Sequence, residues 1–331
     1  MYALKGVLMV AAGGLLLVGI ILAAPWSLNS QAIHGVTFSQ LQADGLGMDW
    51  RQVYRAVLDD LGVKHLRLSA YWNLIEPEDD KFDFTGLDYQ MDMAAKAEAK
   101  VILGVGRKLP RWPECHEPDW VKDAVESEKQ EEIIEMLSVV IERYKDHSAL
   151  SMWQLENEPL LDYGECADED RELLRREEAL LRSLDSEHPI LITDSGELNW
   201  WLEASKYGDV FGTTMYRTVF SEKTQKSFSY DYIFPSWLYR LKARYVKGLR
   251  GKNVIVSELQ GEPWGNIPFK DISKSERENL FSESRLVEMK QFVERTGLPE
   301  VYWWGVEYWY WEKEVKDNPA YWEIARELFD N

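Results

Sequence analysis

The chain is poor in the residues that carry several common chemistries. Its 331 residues include two cysteines, Cys115 and Cys166, and five histidines. No Cys-x-x-Cys occurs and no His-x-x-x-His, so a thiol redox centre and a paired-histidine metal site find no motif. There is no Gly-x-Ser-x-Gly elbow, no Gly-x-x-x-x-Gly-Lys-Ser/Thr loop and no Gly-x-Gly-x-x-Gly turn, which removes the usual signals for serine hydrolysis, nucleotide phosphates and dinucleotides. Positive charge is also scarce: 38 lysines and arginines face 57 acidic residues, a formal net charge of -19. A basic face for nucleic acid is therefore not expected, and an uncharged or cationic ligand is. No repeat, low-complexity tract or Pro/Gly/Ser linker divides the chain after residue 31.

Long hydrophobic runs are equally rare, with one exception at the N-terminus. Gly6 to Ala24 is nineteen residues without a charge, long enough at ~1.5 Å per helical residue to cross a hydrocarbon layer of ~30 Å. A single-pass membrane anchor helix with the remainder outside is the favoured expectation, residues 25 to 31 forming a tether. The rival is a cleaved signal peptide, with Lys5 as n-region and Leu22-Ala23-Ala24 as cleavage end. Either way the rest of the chain is exported, and the two cysteines reach an oxidising compartment. They follow the third and fourth strand candidates below, so a disulfide and two free thiols are both open.

The remaining 300 residues, 32–331, suit one domain. Apolar runs fall at Ala32 to Phe38, Val63 to Ser69, Lys100 to Val105, Leu150 to Glu156, Ile190 to Thr193, Val210 to Tyr216, Asn253 to Ser257 and Glu300 to Val306. Helix-like stretches alternate with them at Asp49 to Leu61, Leu87 to Glu98, Glu128 to Tyr144, Asp170 to Leu184, Leu198 to Lys206, Tyr232 to Leu249, Ser282 to Thr296 and Pro319 to Phe329. Strand then helix, eight times, is the order of an α/β fold of the (β/α)8 TIM barrel type.

What is abundant is tryptophan, fifteen residues, and polar or aromatic residues where the apolar runs end, which in such a barrel is the active-site rim. The fourth run ends in Asn157-Glu158-Pro159 and the seventh in Glu258. Two carboxyls from distant strands are what glycosidic cleavage requires, one to protonate the leaving oxygen and one to stabilise or trap the cationic sugar carbon. Aromatic faces suit the apolar C–H faces of sugars.

Arg67, Trp72-Asn73 with Glu76-Pro77, Asn157-Glu158-Pro159, Tyr216, Glu258 and an aromatic last strand, in this order and spacing, resemble the large barrel clan of retaining glycoside hydrolases that includes the cellulase and mannanase family. Gln154 to Glu158 and the Trp72 segment also resemble β-galactosidases of that clan. The resemblance implies a retaining β-glycosidase acting on a β-linked oligo- or polysaccharide without metal or organic cofactor. It makes Glu158 the general acid/base, Glu258 the nucleophile, Asn157 a partner of the sugar 2-hydroxyl, and Arg67 and Tyr216 neighbours of Glu258. Trp304 would floor the subsite of the reacting sugar, and Trp72 is counted among the substrate contacts. The histidines that cellulase-family members carry near the ends of strands three and six are absent.

Competing readings attach to several residues. Glu156 could be the acid, an outer charge or a barrel-layer group; Glu262 competes with Glu258; Glu307 could bind sugar or be a solvated rim charge. Trp200, Trp201, Trp309 and Trp311 could be sugar platforms or packing under loops. At the level of function, a non-catalytic membrane-tethered carbohydrate-binding barrel and a transglycosylase remodelling envelope glycans are the alternatives. A monomer is expected.

Overall fold

In a computed structural model the described residues are 32–166, 170–221 and 224–329. The expected anchor at 6 to 24 lies outside them, and among the described residues no helix is long and apolar enough to cross a membrane. Eight parallel strands close a barrel: β1 Ile33–Thr37, β2 His65–Ser69, β3 Lys100–Val105, β4 Leu150–Leu155, β5 Ile190–Asp194, β6 Val210–Met215, β7 Val254–Gln260 and β8 Glu300–Trp304. Each strand pairs with its neighbours in sequence, and β8 returns to β1 with Ile33 opposite Glu300 and Thr37 opposite Trp304. All eight runs read from the sequence are strands of this barrel. The reason is burial on both faces, which makes parallel strands nearly continuous apolar runs; every residue of β7 is buried.

The outward-facing strand residues, Leu103, Trp153, Leu155, Val256 and Trp303 among them, share one core with the surrounding helices. Ile102, Leu191, Ile255 and Tyr302 form a separate cluster inside the barrel. Helix starts follow their caps. Asp49 accepts from Arg51 N ahead of Trp50–Asp59, and Asp170 accepts from Glu172 N and Leu173 N ahead of Arg171–Leu184, satisfying orphan amides of the first turn.

Two elements differ from expectation. The stretch 198–206 holds only the short 3-10 turn Ala204–Lys206; Leu198, Trp200 and Leu202 are exposed and only Trp201, Ala204 and Ser205 reach the core there, so no continuous apolar stripe exists to pin a helix. Strand eight stops at Trp304, because Gly305 adopts φ +113 and a Cβ there would sit 2.7 Å from that of Glu262. A helix, Val306–Val315, begins at once. Also absent from the sequence reading are the short helices Gln40–Gly45, Trp72–Ile75 and Lys274–Leu280 and an antiparallel hairpin, Thr218–Ser221 with Lys226–Ser229.

Candidate active site

The C-terminal ends of β2, β4, β6 and β7 converge on one buried guanidinium. Arg67, near the end of β2, donates from Nη1 to Glu258 Oε1 at 2.8 Å, from Nη2 to Asn157 Oδ1 at 2.8 Å and from Nε to Gln154 Oε1 at 2.6 Å. Tyr216 Oη donates to the other oxygen of Glu258 at 2.8 Å. Glu258 thus has a full positive charge on one oxygen and a hydroxyl donor on the other, the company of an anion. Burial and that carboxylate push the Tyr216 phenol well above its usual range, so it stays a donor.

Glu258 reaches this position through an irregularity in β7. Against β6, Thr213 faces Val256 and Thr214 faces Glu258; against β8, Val301 faces Val256 and Trp303 faces Leu259. Both neighbours therefore see one extra residue between Val256 and Leu259, a bulge at Ser257 and Glu258. Strict alternation would send Glu258 to the same side as Val256, into the helix layer. With the bulge, Leu259 takes that side and Glu258 points into the cleft.

The end of β4 is bent by a different device. Glu156 and Glu158 have φ of +54° and +44°, left-handed conformations that side chains other than glycine rarely adopt. Glu156 is held there by its own carboxylate, which accepts from Arg107 N at 3.0 Å and Lys108 N at 2.6 Å. It lies directly over Gly106, where a Cβ would meet it at 2.4 Å. Behind it, buried Glu177 shares a hydrogen bond with it, and burial together with the charge of Glu156 pushes the Glu177 carboxyl well up. Glu156 is thereby committed to the backbone of the neighbouring loop and is not turned to the cleft.

Glu158 has weaker partners. Thr214 Oγ1 donates to its Oε1 at 3.3 Å, while its own backbone N donates to Thr193 Oγ1 at 2.8 Å. Lys108 reaches its carbonyl and that of Leu161, not its carboxylate. Burial, then the negative neighbours Glu258, Glu114 and Asp194, raise its carboxyl well above the ordinary range.

Glu114 and Asp194 were not among the residues singled out from the sequence. Glu114 stands on the loop after β3, with Asn157 Nδ2 at 3.5 and 3.4 Å from its two oxygens. Burial first, and Glu258 second, push it up to about 8. The loop is tied to the one after β4 by a disulfide between Cys115 and Cys166, Cα atoms 4.8 Å apart.

A second buried arginine, Arg111, also escaped the sequence reading. It pairs with Glu262 and, at 2.8 Å, with Glu307, and its guanidinium lies 3.9 Å from the ring centroid of Trp304. Trp304, the last residue of β8, gives its indole N–H to Glu262 at 2.8 Å, so one face is covered by Arg111. Glu307 is fully buried and bonded to Ser39 N, neither a rim charge nor an open sugar ligand. Trp201, Trp309 and Trp311 are core residues.

Trp72 requires a correction. It is 0% exposed, donates from Nε1 to Glu76 Oε2 at 2.7 Å and packs edge-on against Trp120. No face remains for a sugar. Glu76, Asp79 and Asp80 form the one group of three or more carboxylate, histidine or cysteine ligands among the described residues close enough to share a cation, and Glu76 is already bonded to Trp72 and to Asp80 N.

The sequence model of glycoside hydrolase family 42, described as Beta-galactosidase, matches residues 47–177. Beta-galactosidase Pbg of Clostridium perfringens is 32% identical over 151 residues, 39% of this chain and 21% of that protein. Among solved structures, the cold-adapted beta-galactosidase of Rahnella sp. R3 superposes with a TM-score of 0.60 at 12% identity, over 92% of this chain and 56% of that one. Xylanase 10B of Thermotoga maritima gives 0.58 at 16% identity, over 91% and 95%. The chain thus spans about a fifth of the curated relative and about half of the β-galactosidase structure, but nearly all of the xylanase. These structural likenesses show the fold. The sequence matches carry the resemblance to the barrel clan and its β-galactosidases, and the family-model match covers a segment that includes Arg67, Glu114 and Glu158 and ends before Glu258.

Proposed function

We propose that the chain is a retaining β-glycosidase that hydrolyses O-glycosidic bonds of β-linked saccharides by double displacement. The observation that carries this reading is the unequal treatment of two carboxyls at one cleft: Glu258 between Arg67 and Tyr216, Glu158 among other acids without a cation on its carboxylate. Glu258 attacks the anomeric carbon while Glu158 gives its proton to the leaving oxygen, and the sugar becomes an ester of Glu258. Ester formation removes the Glu258 charge, the largest electrostatic cause of the raised Glu158 carboxyl after burial. Glu158 then becomes more acidic and serves as base for water, whose attack frees Glu258. In this reading Asn157, held through its Oδ1 by Arg67 and with its Nδ2 beside Glu114, offers its second amide N–H to the substrate.

β-Galactosides are the first substrates to test, since the sequence matches are to proteins named for them, followed by aryl β-glycosides of other sugars, β-glucan, β-mannan and xylan. Proton NMR during the first minutes of hydrolysis is expected to show the β-anomer first, because double displacement inverts the anomeric carbon twice. Prior appearance of the α-anomer would overturn the assignment of Glu258. The membrane attachment through Gly6 to Ala24 remains a proposal from the apolar run alone; membrane fractionation of the full chain, with sequencing of the mature N-terminus, tests it.

A further inference from the structure

Three aromatic rings lead outward from the proposed nucleophile. Tyr216, bonded to Glu258, packs against Trp264 with ring centroids 5.0 Å apart; Trp264 meets Tyr163 at 6.2 Å, and Tyr163 meets Trp112 at 6.2 Å. Exposure rises along the row: Tyr163 is 39% and Trp112 is 62% exposed. Single exposed aromatics need no explanation, but a contiguous row that begins on a catalytic side chain does. All three contacts are edge-to-face, a geometry in which each contact uses at most one face of one ring.

The outer pair is also held in place. Trp112 lies three residues before Cys115 and Tyr163 three residues before Cys166, and the disulfide joins their loops. Between them Glu165 N donates to Pro113 O at 3.0 Å. Gly164 sits so close that a Cβ would meet that of Glu114 at 2.9 Å. A platform fixed before the ligand arrives loses little entropy on binding.

We infer that Trp112, Tyr163 and Trp264 form an extended saccharide subsite beyond the catalytic pocket, and that the chain acts on β-linked oligosaccharides whose outer units stack on this row. The electron-rich ring faces suit the slightly positive C–H faces of neutral pyranoses. The row lies on the loops after β3, β4 and β7, so its occupant must run from the Glu258 side of the cleft toward the clipped loops.

The inference rests on the glycosidase reading, and two readouts separate them. The first is kcat/KM of wild type, Trp112→Ala and Tyr163→Ala on an aryl β-galactoside and on a β-linked tetrasaccharide series of galacto-, gluco-, manno- and xylo-units. Each variant is expected to lose roughly tenfold on the preferred tetrasaccharide and to stay within about twofold of wild type on the aryl glycoside, with Trp112→Phe restoring most of the loss. Equal losses on both substrates, or none on either, would overturn the subsite. The second is calorimetric binding of the same tetrasaccharides in the Glu258→Gln background with and without Trp112→Ala. Weaker binding on loss of Trp112 supports the subsite even if no hydrolysis is found, an outcome that would sink the glycosidase reading alone. Binding unchanged by Trp112→Ala overturns the subsite alone.

Discussion

Glu158 and Glu258 are chemically identical side chains on one cleft, 7% and 4% exposed, and their surroundings could hardly differ more. Glu258 is gripped by a guanidinium and a phenol from β2 and β6. Glu158 has a threonine hydroxyl at 3.3 Å and three acids within electrostatic reach. Burial alone would treat them alike, so what separates an acid from a nucleophile here is which neighbours the barrel presents. The backbone devices differ too: a bulge delivers Glu258, and two left-handed residues deliver Glu158.

The sharpest way to break this comparison is to remove each carboxyl in turn. Glu258→Gln and Glu158→Gln should each lower turnover by several orders of magnitude while leaving the circular dichroism spectrum unchanged. Azide should restore activity to the Glu158 variant and not to the Glu258 variant, because a small anion replaces the base-assisted water. Loss of the cation comes next. Arg67→Met strips Glu258, Asn157 and Gln154 of their shared donor and should lower kcat by about a hundredfold or more; steady-state kinetics checks this.

The disulfide is a milder lever. Cys115→Ser with Cys166→Ser opens a 51-residue separation and should lower the unfolding free energy by ~2 to 4 kcal/mol, read by urea titration. The smallest effect concerns Glu114. Activity requires protonated Glu158, so kcat/KM falls as pH rises through its titration, and a negative Glu114 moves that fall upward. Glu114, itself pushed up to about 8, is negative only on the alkaline side, so Glu114→Gln should shift an alkaline limb lying at or above about pH 8 to lower pH, and such a limb staying put would show the two groups to be uncoupled.

The barrel was legible because each parallel strand is apolar on both faces and each long helix bears its own apolar stripe. The two glutamates were legible because strand ends are where such a barrel works. Arg111 and Glu114 were not, since they stand on an irregular loop without period and their partners Glu262, Glu307 and Asn157 lie 151, 196 and 43 residues away. Trp72 was misread because a tryptophan just past a strand looks like a platform. The acceptor four residues on, Glu76, lies one helical turn away and claims its N–H.

The bulge in β7 has a consequence for the chain as an object of insertion and deletion. Ser257 works as a frame change within the strand: residues before it are read in one phase of inside and outside, and residues after it in the other. Deleting that single residue would restore a uniform phase, Val256 outward, Glu258 inward and Leu259 outward, so the cleft carboxyl would keep its side while the bulge disappeared. No substitution at position 257 could do the same, because the frame is set by the number of residues and not by their kind.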